Sequence, residues 1–171
     1  MTARTLTSSL CLAALLLAGG VHGAHAATPK GFKVYTSVQW HFRVAYPSTW
    51  HLMDKAAVPW FMDGTTQHHP NGVVLLQAYP TVMPSIDTFV GMVMKGFKKD
   101  TSHFKITHTR VAGGDGRLIT GITKSGDPYA IAAFTGHQSR TWTAILGAKP
   151  TTYGRELKIF AAMLATFTFT P

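Results

Sequence analysis

The chain reads as an α+β domain. Three observations carry this: segments with strand-like alternation, two stretches whose apolar residues recur at helical spacing, and a meander of four strand-like runs between those two helices. Helices that interrupt runs of strands, rather than alternating with each one, point to an antiparallel sheet with helices packed on it.

The first strand is expected over Gln39 to Tyr46. Trp40, Phe42, Val44 and Tyr46 share one parity, and Gln39, His41, Arg43 and Ala45 share the other. Pro47 ends the run, because proline cannot donate to a sheet ladder. Residues Trp50 to Met62 show no clean period and are expected to be irregular, with Trp60 and Phe61 as apolar plugs. Asp63 to Asn71 reads as a polar loop closed by Pro70, Asn71 and Gly72. Val73, Val74, Leu75 and Leu76 are apolar on both parities, so this strand is expected to be covered on both faces.

Pro84 and Ser85 open a helix, with Ser85 as N-cap. Its core stripe is Ile86, Phe89, Val90, Val93, Met94 and Phe97. Lys95, Lys98 and Lys99 end it, where cations suit the helix dipole. The runs Phe104 to Val111, Arg117 to Lys124, Tyr129 to Thr135 and Thr141 to Ala148 follow. Gly113 to Gly116, Ser125 to Pro128 and Gly136 to Arg140 join them as hairpin connections. Pro150 and Thr151 introduce a last helix bearing Leu157, Phe160, Ala161 and Leu164 on one side. Thr166 to Thr170 returns to an extended pattern.

Residues 1–26 read as a cleavable secretory signal peptide. Arg4 supplies the positive n-region, Leu10 to Ala18 the apolar run, and Ala24-His25-Ala26 the small residues a signal peptidase accommodates. The apolar run is far short of the roughly 20 residues a membrane span requires. The mature part, residues 27–171, is expected to form one domain, periplasmic or secreted. Cys11 is the only cysteine and lies inside the apolar run rather than at the cleavage point, so no lipid anchor is expected. Once the leader is removed, disulfides, thiolate catalysis and cysteine zinc sites go with it.

The strand that runs into Tyr46-Pro47-Ser48-Thr49-Trp50 resembles the entry motif of the PsbP-like group. That group includes the extrinsic protein of photosystem II, the bacterial DcrB-like and DUF1795 proteins, and a nuclear Ran-binding factor. The resemblance extends over about residues 32 to 170 in the order of elements, closing on Ala165-Thr166-Phe167-Thr168-Phe169. It implies an antiparallel sheet sandwiched between helices and a non-enzymatic domain that docks onto something else. The photosystem role is not carried over. On physical grounds the motif has a packing role: Pro47 stops the strand, Ser48 and Thr49 let the chain turn, and Trp50 folds back to bury its ring rather than to stack on a ligand.

The formal charge of the whole chain is +9, with 16 Lys and Arg against 7 Asp and Glu. Such a balance favours anionic partners. An exported protein rarely meets nucleic acid, which leaves a protein or an anionic envelope component. Lys95, Lys98 and Lys99, with Lys105 nearby, form the densest basic cluster and the candidate docking patch. Asp63, His68 and His69 are the metal candidates, since imidazole and carboxylate suit zinc; neighbouring histidines seldom converge on one ion, so a solvated loop is preferred. No serine sits in a Gly-x-Ser-x-Gly elbow, and Glu156 is the single glutamate. An envelope hydrolase or metal-dependent enzyme would have to draw on Asp54, Asp63, His68 and His69 converging in one pocket. A binding or accessory domain with no catalytic residues, no cofactor and no metal is the preferred reading.

Overall fold

The computed structural model describes residues 27–55, 58–64, 70–79, 82–136 and 139–171. The signal-peptide reading, and His68 and His69, lie outside the described residues.

Two antiparallel sheets and two helices make up the fold. β1 (Phe32–Ser37), β2 (Phe42–Pro47) and the short β10 (Thr168–Phe169) form a three-stranded sheet with β2 in the middle. The large sheet contains β3 (His51–Lys55), β4 (Val58–Asp63), β5 (Gly72–Tyr79), β6 (Thr101–Val111), β7 (Gly114–Thr123), β8 (Pro128–Thr135) and β9 (Thr141–Ala148). Its spatial order is β3-β4-β5-β9-β8-β7-β6. The expected four-strand meander is β6 to β9, and β5 adds to its last strand.

Helix α1 (Ile86–Phe97) covers one face of the large sheet, and α2 (Tyr153–Thr166) with the small sheet covers the other. Strand parity sorts the two cores. Ala130, Ala132 and Phe134 of β8 join the α2-side cluster, whereas Tyr129, Ile131 and Ala133 join the α1-side cluster. This is an α-β-α sandwich.

The doubly covered strand is β8 rather than β5. Every β8 residue from Pro128 to Phe134 is buried, while β5 alternates buried and half-buried. Val74 and Leu76 of β5 enter the α2-side core; Val73 and Leu75 face the α1 side, beyond the cover of that helix. Hydrophobicity on both parities therefore marks an apolar face that is only partly roofed.

Residues 51–63 are not irregular but pair as the β3–β4 hairpin, with Leu52 opposite Phe61 and Met53 opposite Trp60. Pro59 is tolerated because its outer side is unpaired: β4 joins β5 only from Trp60 onward. An unforeseen strand, β1, flanks β2. Pro47 belongs to β2 and pairs with Phe32. The β6–β7 reversal lies at Ala112 and Gly113, both left-handed (φ 53 and 78), as a two-residue hairpin turn demands; Gly114 to Gly116 are already in β7.

Ser85 caps α1 as expected, its Oγ accepting from the Thr88 N–H at 3.1 Å. Ile86, Phe89, Val90 and Met94 of the expected stripe are buried; Val93 is half-buried and Phe97 is at the surface. Arg117, buried on β7, ties the helix down through two 2.8 Å hydrogen bonds to Asp87. One cross-strand row on the α1 face is apolar across all seven strands: Met53, Trp60, Leu75, Ile145, Ile131, Ile119 and Ile106. The helix roofs its centre, where Ile131 and Ile119 are buried, and leaves Trp60 and Ile106 exposed at the two ends.

Candidate functional site

Asp54 and Asp63 sit at opposite ends of the β3–β4 hairpin. The hairpin register sets Asp54 opposite Pro59 at the turn end of β3–β4, and Asp63 at the other end of β4, opposite Gly72 of β5. Four residues of strand, roughly 13 Å, separate positions 59 and 63. Among the described residues no group of three His, Cys, Asp or Glu could hold a metal ion.

Asp63 instead meets Arg155 and Glu156, partners that sequence reading missed. Arg155 of α2 reaches the Asp63 carboxylate through its Nη2, and its Nε donates to Glu156 Oε1 at 2.7 Å. Asn71 ties the same loop, its N–H donating to the Asp63 carbonyl at 2.8 Å. Glu156 is wholly buried, and its Oε2 has no hydrogen-bond partner among the described residues. Gly72 leaves it room: a β-carbon there would meet the Glu156 side chain at 2.9 Å. Burial pushes the Glu156 carboxyl above its ordinary value, with the nearby Asp63 adding to the rise and Arg155 opposing it.

The sign of the linkage is definite. Between the ordinary value of 4.5 and the raised one, the folded protein holds a proton that the unfolded chain has released. The contribution of Glu156 to stability is therefore fullest below 4.5 and is lost as pH rises through the folded value. Thermal melts of the parent and Glu156→Gln should diverge across that window, with the parent losing ground as pH rises. A difference independent of pH would show that Arg155 keeps Glu156 ionised in the fold.

The basic cluster divides in two. Lys95, Lys98 and Lys99 are exposed at the end of α1. Lys105 is exposed on edge strand β6, but its register with Thr120 places it on the sheet face turned away from α1; its neighbour Ile106, opposite Ile119, faces the helix. Closeness in sequence thus joins four lysines that strand alternation separates into three and one.

Trp50 sits just after the end of the small sheet. Its N–H donates to the Pro47 carbonyl at 3.0 Å, and its side chain, 3% exposed, lies in the α2-side core. It is a packing residue, as the motif suggested.

No protein-family model matches the chain, and no curated protein matches it by sequence. Solved structures do match its fold. Cyanobacterial PsbP (CyanoP) from Synechocystis sp. PCC 6803 superposes with a TM-score of 0.54 at 14% identity, covering 88% of this chain and 99% of that one. PA94 from Pseudomonas aeruginosa, a protein of unknown function, gives 0.54 at 11% identity, covering 82% of this chain and 98% of its own. LpqN of Mycobacterium tuberculosis, involved in cell envelope biogenesis, gives 0.52 at 13% identity over 86% of this chain and 89% of its own. The chain is an α+β sandwich with the PsbP-like fold.

Proposed function

We propose that the chain is an exported, non-catalytic accessory domain that docks onto an anionic component of the cell envelope through the end of α1. The observation that carries this is the trio Lys95, Lys98 and Lys99. All three are exposed on an element whose other side is locked into the core by Phe89, Val90 and Met94. A cationic patch on a rigid support costs little to present and gains from an anionic surface. The overall charge of +9 acts in the same direction. The likeness to LpqN, an envelope-biogenesis protein, supports the compartment. Among the described residues no helix is long and apolar enough to cross a membrane.

The test is retention of residues 27–171 on phosphatidylglycerol vesicles. Retention should fall as salt rises, because such contacts are screened within about 8–10 Å at physiological ionic strength. Changing Lys95, Lys98 and Lys99 together to Glu should weaken retention at low salt. Surface changes of this kind usually cost under about 0.5 kcal/mol each, with a small added penalty from three acids opposing the helix dipole. Equal retention of the triple variant and the parent would sink the proposal. Protein recovered from the envelope fraction should begin at Ala27.

A further inference from the structure

Strand β6 is an open edge of the large sheet. It runs for 11 residues, Thr101–Val111, without a proline, and its register shift lies at Thr101/His103, before Phe104. Edges are usually shortened, bulged or broken by proline, because their unpaired N–H and C=O groups template another strand. The opposite edge, β3, has 5 residues. The hairpin turn settles which backbone groups of β6 are unpaired. Ala112 and Gly113 form a two-residue turn, so Val111 and Gly114 exchange hydrogen bonds and the pattern alternates from there. Lys105, Thr107 and Thr109 therefore bond to β7. The N–H and C=O groups of Phe104, Ile106, His108 and Arg110 point outward, where no other described strand meets them.

The side chains along this edge are exposed as well. Phe104 and Ile106 are 43% and 42% exposed on the α1 face, and the apolar row across the sheet ends at Ile106. Lys105 is exposed on the other face. The ionisable residues of β6 are all basic: His103, Lys105, His108 and Arg110. Arg110 stands opposite Asp115, but that carboxylate is held by Arg117 at 3.1 Å. Lys105 stands opposite Thr120, so no acid faces it across the strand pair. A second copy would bring an equally basic edge, and a chain of the same +9 charge, against this one. An acidic segment would meet complementary charge.

We infer that the β6 edge takes up an extended acidic segment of another protein as an additional strand, antiparallel to β6. The backbone of that segment bonds to Phe104, Ile106, His108 and Arg110. Its apolar side chains, at alternate positions, extend the row past Phe104 and Ile106, and its carboxylates meet Lys105, His108 and Arg110. The inference goes beyond the docking reading, since it concerns a different element and a protein partner. It also gives Lys105, which the fold separates from the α1 lysines, a role of its own.

The probe is the peptide Glu-Thr-Glu-Thr-Val-Glu-Val, whose valines fall opposite Ile106 and Phe104 and whose last glutamate falls opposite Lys105. Labelled at its N-terminus and titrated with residues 27–171, it should show saturable one-to-one binding by fluorescence anisotropy, weakening as salt rises. N-methylation of the valine opposite Ile106, whose N–H faces β6, should weaken binding at least about tenfold. N-methylation of the glutamate beside it, whose N–H faces away, should change binding far less. Ile106→Pro removes an outward N–H and no bond of the β7 ladder, so the strand should persist while binding falls at least about tenfold. Lys105→Glu leaves the backbone intact and should weaken binding about two- to fivefold, the worth of a cross-strand charge pair. Both variants should still be retained on phosphatidylglycerol vesicles, which separates this edge from the α1 patch. The inference would be overturned by no saturable binding, by equal effects of the two N-methyl groups, or by equal binding of the peptide with lysine in place of each glutamate. A parent dimer that Ile106→Pro dissociates would overturn it too, by showing that a second copy takes the edge.

Discussion

Trp50→Ala is expected to lower the unfolding free energy by about 3–5 kcal/mol, the range for truncating a large aromatic side chain in a core. The residue occupies the step from β2 in the small sheet to β3 in the large one. Ser48 is fixed there by its N–H donating to the Gly31 carbonyl at 2.8 Å, and Trp50 by its hydrogen bond to Pro47. With the backbone held on both sides, the chain has little freedom to collapse into the space the indole leaves. The loss therefore includes a cavity as well as the lost burial. Urea unfolding of residues 27–171 reads the effect; a midpoint equal to that of the parent would show that the ring contributes no packing.

Ala132→Asp is expected to have a still larger effect and to abolish the native state. Ala132 is 0% exposed at the centre of β8, the strand covered by α1 on one side and α2 on the other. Its own side enters the α2-side core, where it stands between Leu118 and Ala144 on the neighbouring strands. A carboxylate there loses its water and meets only apolar neighbours. Several kcal/mol per buried ion, set against a domain stability of about 5–15 kcal/mol, leaves little or nothing. The variant should lose its near-ultraviolet circular dichroism, while Lys124→Asp, at an exposed turn position, keeps it. A native spectrum for Ala132→Asp would mean that β8 is not sealed on both sides.

Periodicity made the two helices and the meander legible. Ile86, Phe89, Val90 and Met94 had to share a face, and β9 matches the expected Thr141 to Ala148 at both ends. What escaped was information held in pairing between distant segments. Pro59 and the adjacent apolar pair Trp60-Phe61 disguised β4, because a strand whose first residues pair on one side only can hold a proline. Val73 to Leu76 seemed covered on both sides because a partly roofed face is as apolar as a sealed one. Asp63 and Glu156 lie far apart in the chain, and only the docking of α2 against the β4–β5 end joins them through Arg155. The basic cluster was legible as composition but not as geometry: the helical lysines are fixed by spacing along one element, whereas Lys105 depends on which face of β6 it occupies.

The small sheet sets how the domain would bear a pull. β2 is flanked by β1 and β10, both antiparallel to it, so those two strands run in the same direction. β1 starts opposite Pro47, and the chain leaves past Phe169, opposite Phe42. The two ends thus emerge at opposite tips of β2, roughly 17 Å apart. Tension applied between them would draw β1 one way and β10 the other, along β2 rather than away from it. The ladder bonds lie across that direction. They would be loaded together, in shear, and not opened one at a time as in peeling. A domain tethered at one end and anchored at the other would resist extension at this three-stranded clasp before the load reached the sandwich behind it.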